Sequence, residues 1–255
     1  MGIFPNFYRK YLKALLKQNS MPTKLTEGVY AVDLCTYLPD VKTIIISDLH
    51  LGYEQAMEKQ GVLVPRTQFK TIIKRLDWIT EHVAVEQVVL NGDVKHEFGT
   101  ISKQEWREVL RLIDYFEKKN IKITVVKGNH DTILGPIARK RNLKEVRELR
   151  HKNILITHGD YIPKKLAPII IMGHEHPAIT LREKAKREKF KCFIKGKYKT
   201  STLIVQPSMN PLTEGTDVTK EQVLSPLLSN LSKFEAFIVN DKTHEVLPFG
   251  RIINL

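Results

Sequence analysis

Apolar positions follow two patterns along the chain. Short runs of consecutive apolar residues alternate with longer stretches in which apolar residues recur every three or four positions. Val41–Ser47, Gln87–Leu90 and Ile121–Val126 are runs of the first kind, rich in Ile and Val. Such runs predict strands covered on both faces. Between them Phe69, Ile72, Ile73, Leu76 and Ile79 form a helical stripe, opened by Pro65. Trp106, Val109, Leu110, Ile113 and Phe116 form a second stripe, which starts near Ser102 with Glu105 as its capping-box partner. Gly28–Tyr37 reads as one strand, ended by the Pro39-Asp40 turn, and Pro136 to about Leu149 as a broken helical stretch.

The second half is strand-rich. Ile154–Thr157 and Ile169–Met172 are short apolar runs; Phe190–Ile194 and Thr202–Val205 read as paired strands with a basic turn between them. Phe234–Val239 and Glu245–Pro248 close the chain as antiparallel strands around Asn240-Asp241. Strands alternating with helices, followed by strands alone, predict an α/β (α+β) fold. It would be a mixed β-sheet sandwich flanked by helices. No repeat, low-complexity tract or linker interrupts the chain, so one domain is expected over residues 1–255.

Phe7, Tyr8, Tyr11, Leu12 and Leu15 give residues 1–20 the spacing of an amphipathic helical arm, which either docks on its own domain or lies on a membrane surface. The segment lacks the continuous apolar core of a signal peptide, and Asn6 stands where myristoylation expects Ser or Thr. No apolar run reaches the length of a membrane helix. A cytoplasmic location is therefore expected. Cys35 and Cys192 are far apart and form no Cys-x-x-Cys pair, which argues against a disulfide framework and a thiolate zinc site.

The net charge of +13 favours polyanionic partners, or else marks a solvated Lys- and Glu-rich surface. Over half of it comes from residues 182–199, with nine Lys or Arg against two Glu. Phe190, Phe193 and Tyr198 are interleaved there, so the basic hairpin insertion at 182–200 suits either nucleic-acid contact or a solvated hairpin packed on one side.

Five strand ends carry metal-seeking residues, in the order Asp48/His50, Asp93, Asn129/His130, His158 and His174/His176. Residues two apart at a strand end point to one side, so a carboxylate and an imidazole can share an ion. Each segment has a local alternative: Asp48 as a helix cap, Asn91-Gly92-Asp93 as a turn, His174-Glu175-His176 as a strand edge. With His96, three residues beyond Asp93, six of the nine histidines (His50, His96, His130, His158, His174, His176) lie in or beside these segments, which a scatter of surface histidines would not produce.

Asp48-x-His50, Gly92-Asp93-x-x-His96, Gly128-Asn129-His130-Asp131, Thr157-His158-Gly159-Asp160 and Gly173-His174-x-His176 together resemble the calcineurin-like metallophosphoesterases. Gly-His-Glu-His-Pro at 173–177 and the segment 206–212 resemble most the SbcD-related archaeal and PdeM-type bacterial branch. The resemblance implies two divalent ions, manganese first, with iron, nickel or zinc as alternatives. Asp48, His50, Asp93 and His176 would hold one ion. Asp93, Asn129, His158 and His174 would hold the other, with Asp93 bridging. Two ions about 4 Å apart clamp a phosphoryl group and supply a hydroxide for in-line attack.

His130 would meet the phosphate or protonate the leaving oxygen, Asp131 would hold its tautomer, and His96 would position. The expected activity is hydrolysis of nucleotide or nucleic-acid phosphodiesters, including cyclic phosphates or short single strands. A phosphomonoesterase and a non-catalytic scaffold of the same fold are the alternatives. The residues after His176 complete a sheet rather than a capping domain, which argues against assembly with a coiled-coil ATPase. A homodimer fits the family.

Overall fold

The structure, a computed structural model, describes residues 22–131, 141, 143–183 and 186–254. The arm at 1–20 lies outside them. The first sheet runs in chain order: β1 (Thr23–Thr26), β2 (Val29–Val32), β3 (Cys35–Leu38), β4 (Thr43–Ile46), β5 (Gln87–Asn91), β6 (Lys122–Val126) and β7 (Lys144–Val146). The early strands are antiparallel, whereas β4, β5, β6 and β7 are parallel neighbours. Helices α1 (Tyr53–Lys59), α2 (Gln68–His82) and α3 (Lys103–Lys118) supply the crossovers. Phe69, Ile72, Leu76 and Ile79 of α2 are buried in the same core as Val109, Leu112, Ile113 and Phe116 of α3. Ser102 caps α3 in a complete capping box with Glu105.

The second sheet contains β8 (Glu148–His151), β9 (Ile154–Thr157), β10 (Ile169–Met172), β11 (Pro177–Glu183), β12 (Lys186–Tyr198), β13 (Ser201–Val205) and β14 (Thr216–Asp217). β15 (Glu235–Val239) pairs with β12 and with β16 (Val246–Arg251). Its side chains separate with period two. Ile154, Ile156, Ile169, Ile171, Phe193, Ile204, Phe237 and Val239 join the core shared with the first sheet. Leu155, Ile170, Met172, Cys192, Ile194, Leu203, Val205, Ala236 and Ile238 face the other way, onto Leu227, Leu228, Leu231 and Phe249. A sheet covered on both faces gives continuous apolar strands, and this is the sandwich expected from the sequence. The outer face of the second sheet is covered by irregular chain around Val218–Leu231 rather than by a helix. Among the described residues no helix is long and apolar enough to cross a membrane.

Two local expectations need correction, and the basic stretch takes the second of its two expected forms, a hairpin packed on one side. Gly28–Tyr37 is two strands, β2 and β3, joined by Asp33-Leu34. Asp33 takes a left-handed φ of 51°, which Asp tolerates better than bulky residues, and α2 holds its carboxylate. Lys144–Val146 and Glu148–His151 are strands rather than helix, because they pair with β6 and β9; 136–140 and 142 lie outside the described residues. The basic stretch includes nearly all of β12, a long internal strand. Its Phe193 is fully buried, and Phe190 and Tyr198 pack on the second core. Lys189 and Lys195 pair with Glu221 and Glu235, and Lys197 meets Thr202. These are the contacts of a packed strand.

Candidate metal centre

The site forms where parallel strands of both sheets finish. The chain leaves β4 at Asp48/His50, β5 at Asp93, β6 at Asn129/His130, β9 at His158 and β10 at His174/His176. Parallel pairing puts the carboxyl ends of β4, β5 and β6 on one edge, and likewise β9 and β10. Asp48, His50, Asp93, His174 and His176 all have left-handed φ, between 44° and 67°. Such backbone is unfavourable for L residues, and its concentration at one place marks a functional site. The loops are locked to each other: His50 N donates to the Asp93 carbonyl (2.8 Å), and Gly173 N to that of His158 (2.9 Å).

Two sets of donors converge. Asp48, His50 and His176 form one, and Asp93, His158 and His174 the other, each with its ligand atoms within 4.8 Å of one another. In the first, His176 Nε2 is 3.3 Å from both Asp48 Oδ1 and His50 Nε2. In the second, His158 Nε2 is 3.1 Å from His174 Nδ1, 3.0 Å from Asn129 Oδ1 and 3.4 Å from Asp93 Oδ2. Asp93 Oδ2 is also 3.7 Å from His50 Nε2, so one oxygen faces both sets. Imidazole nitrogens and carboxylate oxygens turned on one another, with no apolar filler, suit divalent manganese, iron or zinc. A dinuclear divalent site fits these residues. The glycines next to it fit as well. A Cβ at Gly128 would stand 2.2 Å from Asp93 Oδ1, and one at Gly173 2.5 Å from Asp48 Oδ2. Backbone without a side chain is required for so close an approach.

The ligand atoms are aimed by their neighbours. His158 Nδ1 is 3.4 Å from the Asn91 carbonyl, an arrangement that leaves Nε2 to the site. Burial opposes charge on His158, but the hydrogen bond to Asp93 and the fields of Asp48 and Asp93 outweigh it and raise its pKa to about 9. That proton must leave before the ring ligates an ion. Burial, then His176, pushes His50 down to about 3. His96 Nδ1 is 3.5 Å from His50 Nδ1, so His96 braces a candidate ligand, and its backbone carbonyl accepts from His130 Nδ1. His130 Nε2 is thereby turned inward, 3.7 Å from Asp93 Oδ2.

Asp131 has another role than the one expected. Its carboxylate is fully buried and accepts from the backbone N–H groups of Val94 (3.0 Å), Lys95 (3.3 Å) and Gly128 (3.1 Å). It ties two site loops together, and the His96 carbonyl fixes the tautomer of His130 instead. Glu175 is a residue that sequence reasoning missed. Its Oε2 accepts from Leu224 N (2.8 Å) and Ser225 N (3.1 Å), anchoring the turn between His174 and His176. Behind Asp48, Ser208 Oγ donates to its carbonyl (2.6 Å), Gln206 Nε2 donates to Ile45, and Lys191 Nζ donates to the carbonyls of Ser208 and Asn210. Lys191 is one of six basic residues in β12, so nothing in the sequence set it apart for this buried role.

Fold and site together define a metal-dependent phosphoesterase. The chain belongs to the calcineurin-like phosphoesterase family, whose model matches residues 41–192. Among solved structures, the nuclease MPE of Pseudomonas putida is similar at 18% identity and a TM-score of 0.65, over 90% of this chain and 100% of that one. A conserved uncharacterized protein of Streptococcus pneumoniae, a phosphoesterase by prediction, has 18% identity and a TM-score of 0.34 over 81% and 94%. A Vps29 double mutant from Entamoeba histolytica has 17% and 0.32 over 78% and 87%. No curated protein sequence matches the chain.

Proposed function

We propose that this protein is a phosphodiesterase that hydrolyses nucleotide or short nucleic-acid phosphodiesters, with manganese the first metal to test. Asp48, His50, Asp93 and His176 would hold one ion, and Asp93, Asn129, His158 and His174 the other. The observation that carries this reading is the single oxygen, Asp93 Oδ2, lying between the two donor sets with His130 Nε2 beside it. Ions held there would neutralise the phosphate and supply a water oxygen that is nucleophilic at neutral pH.

The chain's own residues then position and protonate. Asp131, Glu175 and the strap at 206–210 hold the loops. His130, oriented through Nδ1, faces the phosphate with Nε2; as the imidazolium it protonates the leaving oxygen as the P–O ester bond breaks and the water oxygen bonds to phosphorus, the water's own proton passing to solvent. The nuclease similar in fold over the whole of its chain supports a diester over a monoester.

The test is hydrolysis of bis-p-nitrophenyl phosphate with manganese, beside p-nitrophenyl phosphate. Diester turnover should exceed monoester turnover. Faster monoester turnover would replace the reading with a phosphomonoesterase. No turnover of either with manganese, iron, nickel or zinc would contradict it.

A further inference from the structure

The loop after Asp93 leaves one large aromatic ring uncovered at the edge of the metal centre. Phe98 is 60% exposed, and its ring centroid is 3.6 Å from that of His130, with 36° between the planes. On the same wall Tyr53 meets His96 edge-on at 4.5 Å, and the His96 and His130 rings lie within 24° of parallel at 5.6 Å. Of these four rings only Phe98 is exposed.

Its backbone is held in place. Leu51 bridges Lys95, Glu105 Oε1 accepts from His96 N (3.0 Å) and Glu97 N (2.7 Å), and Lys59 pairs with Glu97 at 2.6 Å. The buried Lys95 ammonium donates to the Glu97 carbonyl. Three of these ties end at Glu97, the residue before Phe98. A scattered exposed apolar residue needs no explanation. A phenyl ring tilted over the proposed proton donor, beside a residue tied this firmly, is placed to meet whatever lies next to that donor.

We infer that Phe98 is the platform on which the leaving half of the substrate stacks, and that this half carries a planar ring, as a nucleoside does. The inference rests on the phosphodiesterase reading, in which His130 protonates the leaving oxygen. The group bonded to that oxygen then lies beside Phe98. Stacking on an aromatic ring tolerates any base, since each presents a π-face.

The test is calorimetric titration of the manganese-loaded protein with adenosine 5′-monophosphate and with ribose 5-phosphate, which differ only in the base. Wild type should prefer the nucleotide. Phe98→Ala should weaken nucleotide binding by roughly 5- to 100-fold and leave ribose 5-phosphate unchanged, and Phe98→Trp should keep the preference. Equal weakening of both ligands would make Phe98 a mere prop for His130 and overturn the inference. So would an unchanged nucleotide affinity, or no preference in wild type. Diester turnover of the same preparations separates the two readings. With turnover but no base preference, the platform fails alone. A base preference lost in Phe98→Ala, without diester turnover, leaves the platform and removes the phosphodiesterase.

Discussion

Replacing Asp93 by Asn is expected to lower manganese-dependent diester turnover by roughly 1,000-fold or more. Asp93 Oδ2 faces His50 of one donor set and His158 of the other; its second oxygen accepts from His130 N at 3.0 Å. An amide can keep the His130 hydrogen bond but removes the negative charge between two dications. It also turns an N–H₂ group toward imidazoles that need an acceptor. In the metal-free protein burial works against charge on Asp93, yet His158, His50 and His130 hold its pKa well below the usual carboxylate range. The wild-type site therefore stays anionic at neutral pH and ready for cations. Steady-state kcat at saturating manganese measures the effect, and thermal unfolding of the variant checks that it is folded. Turnover within tenfold of wild type would show that Asp93 does not bridge.

The second large effect concerns stability. Arg75→Met is expected to destabilise the protein by about 3–5 kcal/mol, the usual cost of leaving a buried charge without its partner. Arg75 on α2 grips Asp33 at the β2–β3 turn with two bonds, Nε to Oδ2 at 2.7 Å and an NH₂ group to Oδ1 at 2.8 Å. The Asp33 side chain is fully buried, and His244 Nδ1 lies 3.3 Å from it. Burial opposes the carboxylate's charge; the His244 and Arg75 contacts outweigh that and lower its pKa. The sign follows: this contribution is present above the unfolded-state pKa of about 3.9 and is lost as pH falls through the lower folded value. Urea unfolding at pH 7 measures the loss. The double variant Arg75→Met/Asp33→Asn should recover part of it. A loss below about 1 kcal/mol would mean that the pair is solvated.

Much of the site was legible in the sequence because metal ligation leaves short, fixed signatures at strand ends. The two strand runs before Asp48 and Asp93 are unbroken apolar segments, and parallel pairing alone brings their ends to one edge. What strand periodicity could not give was the direction of side chains in the loops. Asp131 follows His130 in sequence, yet the chain turns so that its carboxylate points back to the 94–95 backbone. Neighbours in sequence are poor guides to partners where the backbone bends.

The hairpin at Asp33-Leu34 was hidden for a related reason. It has no Gly or Asn: Asp33 alone supplies the left-handed turn residue, followed by the apolar Leu34, and a tertiary contact from Arg75 holds it. The sheet-covering chain around Leu227–Leu231 also lacked a periodic signal, since it packs without forming a helix or strand. The basic residues of β12 left nucleic-acid contact and a solvated hairpin packed on one side equally open, because charge content does not reveal how far the strand is buried through Cys192, Phe193 and Ile194.

The central claim is that Asp93 joins two ions. Anomalous diffraction from crystals soaked in manganese tests it most directly. Two peaks should appear about 3.5–4 Å apart, one among Asp48, His50 and His176 and the other among Asn129, His158 and His174, with Asp93 touching both. A single ion, or a pair that Asp93 does not touch, would contradict the account.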